Sequence, residues 1–149
     1  MTETPRVGLA VAVVVVAVLA VLGLVQWAAS ERAPFEAGSF DDVEATFADA
    51  GLQVCSATDR PDGLAPQAVA SRTYEVAVRC PVDSTQVVVD RFADVADRDA
   101  AAQRFEVLLR PRGSGVVYTF GDSTVFLRGS GDGGVRRRLT RALLAAGAR

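Results

Sequence analysis

The sequence predicts an α+β fold: a single N-terminal transmembrane helix, then a small domain in the order α-β-β-β-α-β-β-α, its sheet mainly antiparallel and its helices on one face. Three observations lead to this. The run Val7 to Val25 holds 19 residues without a polar side chain. Beyond it, short stretches of alternating apolar and polar residues are separated by turn residues at close spacing, the mark of strands joined by hairpins. Other stretches repeat apolar residues at helical spacing. Hairpin connections favour an antiparallel sheet with helices packed against it.

The opening run contains nine Val, four Leu, four Ala and two Gly. β-Branched residues suit strands in water, but strands rarely exceed about ten residues. In hydrocarbon, a single segment can pair all its backbone groups internally only as a helix. Nineteen residues at about 1.5 Å each span roughly 28 Å, close to the ~30 Å of a bilayer core. The thirteen Val and Leu favour insertion by roughly 4 to 8 kcal/mol. Trp27 follows the run and is placed as an anchor at the headgroup level. The expected organisation is a short tail (1–6), a transmembrane helix (7–28), a linker (29–38) and an extracytoplasmic α+β domain (39–149). An alternative stays open: cleavage after Ser30 would release the domain as an exported soluble protein. Arg6 on one flank and Arg32 on the other barely choose an orientation.

Cys55 and Cys80 are the only cysteines. Their spacing resembles neither a metal site nor a redox pair, and an even pair in an exported domain points to a disulfide. This supports placing the protein in the cytoplasmic membrane, single-pass, with its C-terminal domain outside. One feature counts against the bond. On strict alternation from Leu52 and Val54, Cys55 points away from its strand's apolar face, whereas Cys80 shares a face with Tyr74, Val76 and Val78. A bulge or a strand end would remove the conflict.

The 119 residues after position 30 carry fifteen Arg against seventeen acids, a balance that does not invite nucleic acid. The chain has no His and no Lys. That excludes imidazole bases and ligands, Schiff-base chemistry and a phosphate-loop lysine. No catalytic residue, metal ligand or cofactor site is expected.

The domain reads as follows. "SFDDVEATFADAG" is a helix: Ser39 caps it, Asp41, Asp42 and Glu44 suit its positive end, Phe40, Val43, Phe47 and Ala50 share a face, and Gly51 ends it. "LQVCS" is a strand and "TDRPDGLAPQAVAS" a long loop. "TYEVAVRC" and "TQVVVDRF" are strands. "DRDAAAQRFEVLLR" is a helix capped by Asp97, with Ala101, Phe105, Leu108 and Leu109 inward. "GVVYTF" and "STVFLR" flank Gly121-Asp122 as a hairpin with a type II′ turn. "DGGVRRRLTRALLAAGA" is a final helix, with Val135, Leu139, Ala142, Leu143 and Ala146 on its apolar side.

Three constellations bear on function. Gly129 to Gly134 fits G-x-G-x-x-G between a strand and a helix, but no acidic residue or parallel strand follows, so dinucleotide binding is not expected. Asp90, Asp94, Asp97 and Asp99 crowd a strand–helix junction without the spacing of a calcium loop; a pair of them could do acid–base work in a small carboxylate enzyme, but they read as loop and cap residues. Arg136, Arg137, Arg138 and Arg141 form a basic patch on the last helix, a candidate contact for an anionic surface.

The stretch "EAGSFDDVEATFADAGLQV" resembles the opening of SPOR peptidoglycan-binding repeats, in which Gly-Ser-Phe leads into a helix closed by Gly and a strand. Here the strand that would precede Gly38-Ser39-Phe40 is missing. The resemblance implies an envelope module that binds glycan, and assigns no binding residue. The expected function is thus that of a membrane-anchored binding or scaffolding domain without catalysis. Its expected partners are the bilayer, through Val7 to Val25, and an envelope protein or glycan. The sequence does not specify an oligomeric state.

Overall fold

The computed structural model describes residues 40–109, 115–129 and 133–149. The segment 7–28 with Trp27, the linker 29–38, Ser39 and the centre of the Gly129–Gly134 stretch lie outside the described residues. Among the described residues, no helix is long and apolar enough to cross a membrane.

The chain runs α1 (Phe40–Asp49), β1 (Gln53–Arg60), β2 (Ala70–Ala77), β3 (Thr85–Arg91), α2 (Val95–Leu109), β4 (Gly115–Phe120), β5 (Ser123–Arg128) and α3 (Gly133–Ala145). This is the expected order, and the fold is α+β. The five strands form one sheet in the order β1-β2-β3-β5-β4, and every neighbouring pair is antiparallel.

Helix α1 forms where Asp41 and Asp42 occupy its first turn and offset the positive end of the dipole. Val43 and Phe47, four apart, are buried, and Phe40 and Ala50 pack against the same cluster. The helix ends as expected at Gly51, whose φ is +67°. There the Gly51 N–H reaches the Ala48 carbonyl and the Leu52 N–H the Phe47 carbonyl, the paired bonds of a Schellman cap. α3 ends the same way: Gly147, at φ +93°, donates to Leu144, and Ala148 donates to Leu143.

Strand alternation sorts the side chains into two faces. On one face Tyr74, Val76, Val87, Val89, Val125 and Leu127 meet Val43 and Phe47 of α1 and Val135, Leu139 and Leu143 of α3 in a continuous core. Phe47 and Tyr74 pack edge-to-face, ring centroids 5.3 Å apart. The hairpin turns at Gly121 (φ +54°) and Asp122, with Phe120 paired to Ser123 across a two-residue loop. Only the first of these residues has positive φ, as a type II′ turn requires.

The helices do not share one face, contrary to expectation. Phe105 of α2 stacks on Phe126 at 6.4 Å. Phe126 lies between Val125 and Leu127 in sequence and therefore points to the opposite side of the sheet. Ala101, Phe92 and Ala65 are buried there in a second, smaller cluster. Of the expected α2 stripe, Ala101 is buried and Phe105 half-buried, whereas Leu108 is 58% exposed; the Leu109 side chain lies outside the described residues. The helix is capped by Asp94 rather than Asp97: the Asp97 N–H donates to Asp94 Oδ1 at 2.9 Å, the bond an N-cap makes to N3. β1 and β2 are also displaced from expectation. Asp59 pairs with Arg72 and Arg60 with Ser71, so the strands take both ends of the expected loop. β2 closes at Ala77, leaving Val78 47% exposed.

Candidate functional site

Two features bear on function: the cysteine pair at one end of the sheet, and the arginine face of α3. Val54 pairs with Val76 and Ser56 with Glu75, so the register slips at Cys55. The extra residue is a β-bulge, which re-aims the side chain. Cys80 lies past the end of β2, in the turn to β3, where β2's alternation no longer fixes its direction. The two half-buried residues form a disulfide with Cα atoms 5.5 Å apart, a normal separation. The bond ties edge strand β1 to the β2–β3 turn across a separation of 25 residues. Closing a loop of that size stabilises a domain by about 3–4 kcal/mol.

In α3, Val135, Leu139 and Leu143 repeat every four residues and are buried, so Arg137, Arg138 and Arg141 fall on the outward side and are exposed. Tyr118 of β4 donates its hydroxyl to Thr140 Oγ1 at 3.1 Å and helps fix the helix on the sheet. These three arginines line a groove of about 830 Å³ with Thr46, Asp49 and Ala50 at the end of α1 and Ala142, Ala145 and Ala146 at the end of α3. A Cβ on Gly51 would stand 3.8 Å from Arg138 Nη1. That guanidinium therefore lies over the C-terminal end of α1, where the helix dipole is negative. Arg136 is half-buried and does not line the groove. Among the described residues, none of the four arginines has a carboxylate within ion-pair distance.

The acidic residues at the β3–α2 junction have separate structural duties. Asp90 is 1% exposed. Its Oδ2 accepts the Ala65 N–H at 2.9 Å and its Oδ1 the Ser71 hydroxyl, so it pins the loop 61–69 to the sheet. Asp94 is the α2 cap, and Asp99 pairs with the neighbouring Arg98 at 2.7 Å. They do not assemble a shared acid–base site. Among the described residues, no three His, Cys, Asp or Glu side chains are grouped to hold a metal ion.

A second charged network joins the start of α1 to the sheet. Arg72 pairs with Asp59 at 2.6 Å and Glu44 at 3.3 Å, and its guanidinium lies 4.5 Å from the centroid of the Phe40 ring. Tyr74 donates its hydroxyl to Glu44 Oε1 at 3.0 Å. The hydrogen bond from Arg72 holds the Asp59 carboxyl below its usual range. Burial, reinforced by the bond to Glu44, pushes the Tyr74 phenol well above its ordinary value. Arg91 forms a forked pair with Asp122, its Nε at 2.8 Å. Every member of this network is matched, which makes it a fastening rather than a recognition surface.

No protein-family model, curated protein or solved structure matches the chain. The arginine patch and the cysteine pair were both visible in the sequence. The α1 side of the groove, with Thr46, Asp49 and Ala50, was not, because only the packing of α1 beside α3 brings it to the arginines. The buried role of Asp90 was also missed. A carboxylate inside an apolar strand, "VVVDRF", was the available signal.

Proposed function

We propose that the chain is a single-pass protein of the cytoplasmic membrane that holds its α+β domain on the outer side, where the domain binds or scaffolds rather than catalyses. The observation that carries this reading is the Cys55–Cys80 disulfide. Such bonds persist in oxidising compartments and are rare in the cytosol, and here the bond closes on an edge strand bulged at one of its cysteines. The apolar run Val7 to Val25 supplies the anchor, long enough to span. A binding role is supported by Arg137, Arg138 and Arg141, which line one groove without a carboxylate within ion-pair distance among the described residues. Absence of catalysis is supported by Asp90 and Asp94, whose carboxylates are committed to backbone and hydroxyl groups. Fractionation of cells making the full chain tests the anchor. The protein is expected in the membrane pellet, resistant to alkaline carbonate and released by detergent. Recovery of intact full-length chain from the soluble fraction would overturn the reading.

A further inference from the structure

We propose that the groove between α1 and α3 is a headgroup-binding site for anionic phospholipid, laying this face of the domain on the bilayer that anchors it. The inference rests on the membrane-anchored reading above and adds the ligand class and the surface. Three arginines, Arg137, Arg138 and Arg141, line one open groove, unmatched by any carboxylate within ion-pair distance among the described residues. A guanidinium presents a planar fork of donors that fits phosphate oxygens two at a time. Ala142, Ala145 and Ala146 give the groove a shallow floor, leaving room for a headgroup between the cationic side chains. Among the described residues, Asp49 is the one acidic residue in the lining, set against the three arginines, although the whole chain is slightly negative.

The length of the tether selects the source of phosphate. Eleven residues, 29–39, separate the expected span from Phe40 and extend to at most about 40 Å. The ten residues of α1 add roughly 15 Å between the tether and the groove. The groove therefore stays within reach of the membrane surface, where a tethered site meets headgroups at high effective concentration. A soluble phosphate has no such advantage.

Arginine footprinting on the full chain tests this. The protein is placed in nanodiscs of phosphatidylcholine alone, or of equal parts phosphatidylcholine and phosphatidylglycerol, and its arginines are modified with phenylglyoxal and read by peptide mass spectrometry. Modification of Arg137, Arg138 and Arg141 is expected to slow about fivefold in the anionic discs, the protection of a basic residue held at an anionic surface. Raising salt to roughly 0.5 M should remove the effect. Arg60 at the end of β1 and Arg79 past the end of β2, both exposed and outside the groove lining, should react equally in both discs. Ala145→Glu puts a carboxylate on the exposed floor of the groove and should abolish the protection. Leu144→Glu, equal in charge but outside the lining, should not. Equal rates in the two discs would overturn the proposal. So would protection spread evenly over Arg60 and Arg79, or equal protection by inorganic phosphate in neutral discs. Should the chain fail to enter discs, the anchor reading falls. The same footprint with added vesicles of the two compositions then decides the headgroup site on its own.

Discussion

On one side of the sheet, thirteen buried residues from α1, α3, the chain end, three strands and Leu52 after α1 make a single core. On the other, α2 covers the β4–β5 side over a cluster of three buried residues, Ala65, Phe92 and Ala101, with Phe105 and Ala68 at its margin. The first side is held chiefly by apolar area, to which the Arg72–Glu44–Tyr74 network and the Tyr118–Thr140 bond are added. The second is held largely by polar fastenings: Asp90 gripping Ala65 and Ser71, the Asp94 cap, and Arg98 donating to the Gly121 carbonyl. Apolar burial is non-directional and tolerant of small shifts, whereas a buried carboxylate must keep its partners or be left unsatisfied. The two sides should therefore fail differently.

Thermal and denaturant unfolding of variants on each side measures this. Leu139→Ala, at a fully buried position of α3, is expected to cost about 2–5 kcal/mol. Asp90→Ala leaves the Ala65 N–H and the Ser71 hydroxyl without their acceptor and should cost roughly 1–3 kcal/mol. Its effect should concentrate in the loop 61–69, read as faster amide exchange there. Phe105→Ala, at a half-buried ring, should cost less than Leu139→Ala, at about 1–2 kcal/mol. Equal losses for Leu139→Ala and Phe105→Ala would remove the distinction between the sides.

A smaller effect appears only at alkaline pH. The Tyr74 phenol is raised in the folded state by burial and by its bond to Glu44, whereas in the unfolded chain it titrates near 10. The folded state therefore holds the proton more tightly. Its contribution is complete below about pH 10 and is lost as pH rises above that value. Tyr74→Phe should flatten this alkaline decline while changing neutral stability by about 1 kcal/mol. An unchanged alkaline slope would show that another group controls it.

The same contrast explains what could be read from the sequence. The order of elements, the Gly51 stop, the Gly121-Asp122 turn and the stripe Val135–Leu139–Leu143 were legible, because each depends on local spacing or local backbone geometry. The packing of α2 on the opposite face and the exposure of Leu108 are not legible in its spacing. Val107 and Leu108 are both exposed near the end of α2, so its apolar residues do not mark a single face. The extension of β1 to Arg60 and the bulge at Cys55 come from pairing with β2, a long-range fact that alternation within β1 cannot reveal. The bulge also settles the apparent conflict over the disulfide. At the candidate site, Arg137, Arg138 and Arg141 could be picked out as a basic face. That they share a groove with Asp49, and that Arg136 stands outside it, depends on how α1 and α3 pack.

The most direct test of an oxidised domain held outside the membrane is thiol labelling of intact cells with a membrane-impermeant maleimide, before and after an impermeant reductant. Labelling of Cys55 and Cys80 only after reduction, without lysis, is the predicted result. Labelling that needs lysis but no reductant would place both cysteines, reduced, in the cytoplasm and contradict the account.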